Sequence, residues 1–152
     1  MIRVAAQDDS TAIDAFLAQH AETSMFLRSN LENPGIGNTE HPFATSYLIE
    51  LSGEEVVNVF GWTAGGYLMI QAPTANPMFW AAIQQQLSGY EVRGMTGDPV
   101  QVDAAFEALR LSDLSFSVNA DEPRYSVSLA DVLKLDAEMR LATNEDHALL
   151  WE

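Results

Sequence analysis

One stretch, Gly66–Asp98, constrains the fold of this chain more than any other, because it reads as strand, helix, strand. Tyr67–Ala72 is a short, mostly apolar run of strand length. Asn76-Pro77 then opens a helix: asparagine is a good N-cap, and proline at the first helical position gives up an N–H that has no intrahelical partner anyway. Phe79, Ile83 and Leu87 recur at i, i+4 and i+8 and give that helix one apolar face. Ser88-Gly89 ends it, since glycine supplies the left-handed residue after a helix. Tyr90–Met95 reads as the second strand. Two strands joined by a helix of this length are parallel neighbours with a right-handed crossover. The bend between Gln71 and Asn76 then falls at the carboxyl end of a strand, where α/β folds place ligands.

The flanks extend this unit. Ile2–Ala5 is a short strand, and Asp9 is placed to cap a helix that carries Ile13, Phe16 and Leu17 on one face. A second helix runs from about Ser24 to Leu31 with Phe26, Leu27 and Leu31 inward, and Asn33-Pro34-Gly35 stops it. Ala44–Leu51, Val56–Thr63 and Tyr67–Ala72 follow with two short turns between them, the pattern of an antiparallel meander. After the central unit, Asp98-Pro99 repeats the cap-plus-proline start, Gln101 stands at the capping-box spacing from Asp98, and Val102, Ala105, Phe106 and Leu109 mark one helix face. Ser115–Val118 and Tyr125–Leu129 alternate around a turn-rich segment and read as a closing hairpin.

Composition removes several functions. The 152 residues carry 22 acidic and 7 basic side chains, a net charge of −15. Such a surface repels phosphate backbones and anionic headgroups, so neither nucleic acid nor membrane is an expected partner. The acids are dispersed, which fits solubility; attraction of a cationic substrate such as an amine is the alternative. With no cysteine, disulfides, thiolate metal sites and a cysteine nucleophile are all excluded. His20, His41 and His147 lack metal-ligand spacing, and Ser24 and Ser46 lack a nucleophile elbow. MIRVAAQDDS has no basic-then-apolar signal pattern, and no run reaches the roughly 20 apolar residues of a membrane span; a cytoplasmic location is the expectation.

The tail holds an internal echo. Met139–Trp151 laid over Ile2–Asp14 matches Arg140 with Arg3, Ala142 with Ala5 and Asp146 with Asp9, and several other positions are similar. Either this is a chance strand-plus-helix or a second copy of the same domain begins here. The domain reading is therefore 1–135 as one domain and 136–152 as a connector with the start of a second repeat.

The element order β-α-α-β-β-β-α-β-α-β-β, an α/β (α+β) arrangement with a mixed twisted central sheet, resembles the GNAT superfamily of acetyl-CoA-dependent N-acetyltransferases. IRVAAQDDSTAIDAFLAQH is similar to a GNAT first strand and helix. HAETSMFLRSNLEN (His20–Asn33), the meander and LMIQAP resemble the N-terminal half of bacterial tandem-GNAT proteins, in which a degenerate first domain precedes a catalytic one. The resemblance spans essentially the whole chain and implies acetyl-CoA as cofactor. An active member binds the cofactor's pyrophosphate with an Arg/Gln-x-x-Gly-x-Gly/Ala loop after the fourth strand. Here Gln71-Ala72-Pro73-Thr74-Ala75-Asn76-Pro77 stands in that place, with no glycine and no basic residue, and each proline removes a donor.

Candidate residues follow from the resemblance. The backbone of Gln71, Ala72 and Pro73 is the place for the cofactor's pantetheine arm. Glu50 and Tyr125 are the candidates for base and acid. Arg28, Asn30, Tyr47 and Trp62 are candidates to line an acceptor groove; the alternatives are a solvent-facing strand residue for Glu50, an exposed or ion-paired helix residue for Arg28, and packing for Tyr47, Trp62 and Tyr125. No metal is expected. Three functions stay open: a degenerate, non-catalytic GNAT domain that packs against a catalytic domain or a second copy; a standalone N-acetyltransferase acting on a small amine through a divergent cofactor loop; and a binding module without acyl-CoA chemistry.

Overall fold

The computed structural model describes residues 1–120 except 39, 42 and 113, together with 122 and 125. By its internal contacts the chain divides into two units, Met1–Asn119 and Ala120–Glu152. In the first unit the chain runs β1 (Ile2–Val4), a 3-10 turn (Gln7–Asp9), α1 (Ser10–Gln19), α2 (Met25–Glu32), β2 (Thr45–Ser52), β3 (Glu55–Thr63), β4 (Tyr67–Gln71), α3 (Pro77–Gln86), β5 (Gly94–Gly97) and α4 (Pro99–Leu109). The second unit contributes three described residues, and all three are exposed.

The sheet order is β1-β2-β3-β4-β5. The pairings β1–β2, β2–β3 and β3–β4 are antiparallel, the last two as their short turns require, and β4–β5 is parallel, with α3 as the crossover. The meander and the strand–helix–strand unit read from the sequence are both present, in an α+β arrangement with a mixed sheet.

Strand alternation gives the sheet two buried faces. Tyr47, Ile49, Val59 and Met69 pack with Ile13, Phe16 and Leu17 of α1 and Leu27 and Leu31 of α2. Leu48, Phe60, Leu68 and Ile70 pack with Phe79 and Ile83 of α3 and Ala105 of α4. Phe60, Phe79 and Ile83 are fully buried. Each such side chain stabilises the fold by about 1.5–3 kcal/mol relative to exposure, enough to fix where α3 begins.

The structure departs from the sequence reading at several places. The fifth strand is Gly94–Gly97, not Tyr90–Met95. Tyr90–Arg93 instead wraps the β3–β4 turn: the Tyr90 hydroxyl donates to the Thr63 carbonyl, and the Arg93 amide donates to the Gly66 carbonyl at 2.8 Å. Gly66 permits this wrap. It has φ +94°, and a Cβ there would lie 2.9 Å from the Glu91 carbonyl oxygen. Phe26 is 53% exposed rather than inward. Leu27 and Leu31, four apart, hold the buried face, and a neighbour one residue away points about 100° off it.

Asp9 does not cap α1. Its carboxylate is taken by both terminal nitrogens of Arg3, at 2.6 Å each, and by the Ala6 amide at 2.7 Å. Gln101 does not close a capping box: Asp98 accepts from the Val100 amide, while the Gln101 side chain crosses to Ala72. Ser115–Val118 forms no strand. Phe116 packs edge-on against Phe106 of α4, and Val118 is exposed, so their alternation has no sheet face to serve. The other hairpin arm beyond residue 125, and the echo at 139–151, lie outside the described residues.

Candidate functional site

The bend from Ala72 to Asn76 leaves the carboxyl end of β4 and enters α3. This is the position where a parallel strand pair and a helix N-terminus together offer free N–H donors to a ligand. In this chain those donors are engaged by the chain itself. The Asn76 side-chain oxygen accepts from the amides of Met78 (2.9 Å) and Phe79 (3.1 Å). Its side-chain nitrogen donates to one oxygen of Glu50 at 2.8 Å. The other Glu50 oxygen accepts from the Asn58 side-chain nitrogen at 2.7 Å. The Asn58 oxygen in turn accepts from the Thr74 amide (3.0 Å) and hydroxyl (3.2 Å).

Glu50 and Asn58 are direct cross-strand partners on β2 and β3. On adjacent antiparallel strands such partners sit close enough for their side chains to bond. The sheet therefore holds the bend from beneath, with a carboxylate one amide away from the start of α3. A negative charge near a helix N-terminus is favourable, and here it comes from the protein. An incoming phosphate would meet occupied donors and a fixed negative charge.

Along β4 the same holds. Ala72 is buried, and its amide donates to the Gln101 side-chain oxygen of α4 at 2.5 Å. The Gln71 side chain points to the other sheet face, where it accepts from the Thr23 hydroxyl at 2.7 Å. Pro73 is exposed and has no N–H to give. The last parallel pair, Ile70 with Gly97, is tight: a Cβ on Gly97 would lie 2.9 Å from the Ile70 carbonyl oxygen and 2.7 Å from its Cγ2. The two strands lie together to the end of β5.

The residues proposed for an acceptor groove do not converge. Tyr47 and Trp62 stand on opposite faces of the sheet, one in the α1–α2 core and the other against the α3–α4 core. Tyr47 is fully buried, and its hydroxyl donates to the Leu27 carbonyl at 3.0 Å. Burial pushes its ionisation well above the ordinary tyrosine range. Arg28 and Asn30 leave α2 on different sides. The Arg28 Nε donates to Asp14 of α1 at 2.8 Å, and the hydrogen bond with that carboxylate raises the arginine's pKa further. Asn30 turns toward the sheet and donates to the Thr45 hydroxyl at 3.0 Å. Between α1 and α2 lies an open groove of ≈ 690 Å³ lined by Asp14, Met25, Arg28 and Glu32 among others. Tyr125 belongs to the second unit and is exposed.

Among the described residues no group of three or more histidines, aspartates or glutamates could hold a metal ion. No helix there is long and apolar enough to cross a membrane. Every buried side-chain nitrogen and oxygen among them has a partner.

No protein-family model matches the chain, and no curated protein matches it. Solved structures similar to it are acetyltransferases. A ribosomal-protein-alanine N-acetyltransferase from Brucella melitensis biovar Abortus 2308 aligns with a TM-score of 0.46 and 9% identity, over 83% of this chain and 99% of that one. A possible acetyltransferase from Clostridium difficile 630 aligns with a TM-score of 0.45 and 16% identity, over 84% and 97%. An aminoglycoside acetyltransferase from an uncultured soil metagenomic sample, in complex with trehalose, aligns with a TM-score of 0.37 and 14% identity, over 84% and 96%.

Glu50 and the cap Asn76 are visible in the sequence, but Asn58 and Gln101 around the bend are not among the candidates it offers. Asn58 had a readable signal: it interrupts the β-branched and aromatic run Val56–Phe60. A polar residue inside an apolar strand needs a partner. The local mark on Gln101, its capping-box spacing from Asp98, points to the wrong partner, because the contact it makes is 29 residues away.

Proposed function

We propose that this chain is a GNAT-type domain whose cofactor site is closed, and that it serves as a non-catalytic partner of a catalytic acetyltransferase domain or of a second copy of itself. The observation that carries this is the state of the α3 N-terminus. Asn76 takes the donors that would hold a pyrophosphate, and the Glu50 carboxylate anchors Asn76 from below. Catalysis by this family needs acetyl-CoA in that place, and a bound anion would have to break those bonds and sit beside a like charge.

The tandem half of the proposal draws on the echo at 139–151. Its three identities fall on Arg3, Ala5 and Asp9. In the first unit Arg3 and Asp9 make the two-pronged ion pair that sets the β1–α1 corner, and Ala5 is buried beside it. Chance similarity has no reason to select those positions, whereas a second repeat built on the same corner does. We therefore take 136–152 as a connector and the opening of another such unit.

Calorimetric titration of the chain with acetyl-CoA tests the closed site. The expected result is no saturable heat; micromolar binding would overturn the proposal. Light scattering then separates the two partners, because a concentration-independent monomer removes self-association and leaves a catalytic domain.

A further inference from the structure

We infer that Gln101 is a built-in stopper: its side-chain amide stands in for an amide-bearing, extended ligand that would otherwise lie along the end of β4. The inference rests on the closed-site reading above and assigns that closure, on the strand side, to one side chain.

Ala72 lies one residue beyond β4 and two beyond the last β4–β5 pair. Its amide is directed to the side on which α4 follows β5, and it is buried. A buried N–H must have an acceptor. In a sheet that acceptor is the carbonyl of a neighbouring extended chain, but β5 ends at Gly97 and turns into α4. The acceptor is instead the primary-amide oxygen of Gln101, at 2.5 Å. A glutamine amide has the same C=O as a peptide or a secondary amide, so the bond that an extended ligand would make is already made. The hydroxyl and amide of Thr74 and the amides of Met78 and Phe79 are engaged by Asn58 and Asn76, whereas the acceptor of the Ala72 amide is Gln101, the one of these side chains that comes from α4.

The test follows the Ala72 amide by NMR and hydrogen exchange in the wild-type chain, in Gln101→Met, which keeps length without a carbonyl acceptor, and in Gln101→Glu, which keeps the acceptor. Pantetheine is the probe, as an extended chain with two amides. In wild type and Gln101→Glu the Ala72 amide stays protected, and pantetheine leaves its resonance unmoved. In Gln101→Met it exchanges about tenfold faster, the order expected for one lost hydrogen bond, and pantetheine shifts it saturably. Gln101→Ala is the second variant, with the same expectation, should Gln101→Met not fold. A folded acceptor-less variant that pantetheine leaves untouched overturns the stopper and leaves the closed pyrophosphate end standing. A pantetheine shift in wild type overturns the stopper as well, and the acetyl-CoA calorimetry then decides separately whether the pyrophosphate end is closed.

Discussion

Glu50→Gln is a nearly isosteric change that the network under the bend should not tolerate. Both Glu50 oxygens accept, one from the Asn58 side-chain nitrogen and one from that of Asn76. Glutamine offers one oxygen and one NH₂ group, so one of the two contacts becomes donor against donor. A flip of the neighbouring asparagine cannot relieve it. The Asn58 oxygen is held by the Thr74 amide and hydroxyl, and the Asn76 oxygen by the amides of Met78 and Phe79. A flip in either would set an NH₂ group against backbone N–H donors. A hydrogen bond to a charged group is worth about 1.5–3 kcal/mol, and Glu50 is half-buried, so water recovers part of the loss; the net cost is about 2 kcal/mol. With a urea dependence of about 1–3 kcal/mol/M, the unfolding midpoint should fall by about 1 M. Glu54→Gln, in the exposed β2–β3 turn, is the control and should stay within about 0.5 kcal/mol of wild type. If Glu50→Gln and Glu54→Gln unfold together, the carboxylate is not what ties the bend to the sheet.

Three further outcomes follow from single contacts. The hydrogen bond from Arg3 holds the Asp9 carboxyl down at about 2 against an ordinary 3.8, so its stabilising contribution is whole above pH 4 and is lost as the pH falls through about 2; acid unfolding should show this slope, amounting to about 1 kcal/mol after screening, and Arg3→Met should remove it. Gly97→Ala forces a methyl group to within 2.9 Å of the Ile70 carbonyl oxygen, a backbone atom that cannot swing aside, and should lower stability by about 2 kcal/mol in a urea melt; a neutral result would mean that β4 and β5 are not held this close. Tyr47→Phe removes the bond to the Leu27 carbonyl and should cost about 1 kcal/mol. Because burial raises the Tyr47 pKa, its contribution is whole below an ordinary tyrosine value of 10.0 and is lost as the pH climbs beyond it, so the variant should also flatten alkaline unfolding.

The fold was legible where local chemistry and period agree. Asn76-Pro77 announces α3, and its cap is made as the sequence implies, with the Asn76 oxygen on two amides. Two short turns force three antiparallel strands, and a helix between Tyr67–Gln71 and the next strand forces a parallel pair. It was illegible where a tertiary contact overrode a local pattern. Tyr90–Val92 has the composition of a strand, but the Tyr90 hydroxyl and the Arg93 amide are drawn to the β3–β4 turn, and the pairing passes to Gly94–Gly97, whose two terminal glycines let β5 sit against β4. Asp9 looked like a cap because aspartate before a helix usually is one; Arg3, six residues back on a strand, offers a two-pronged charged partner instead.

The site divides along the same line. The missing glycines between Gln71 and Pro77 were visible in the sequence, and they argue only that a phosphate cradle is not built in the family's manner. They leave open a cradle made from side chains. That alternative needs free donors at the bend; the Met78 and Phe79 amides go to the local cap Asn76, but the Thr74 amide goes to Asn58 on β3 and the Ala72 amide to Gln101 on α4, while Glu50 on β2 holds the side chains of both asparagines. Glu50 and Asn58 lie in no motif, and the capping-box spacing of Gln101 points to the wrong partner. Each is an ordinary polar residue whose role exists only after the sheet has brought β2 and β3 together and α3 and α4 have docked on one face. On the closed-site proposal, closure is a property of the packing, and single replacements in the packing, at Glu50 or at Gln101, should loosen it while the loop sequence is left untouched.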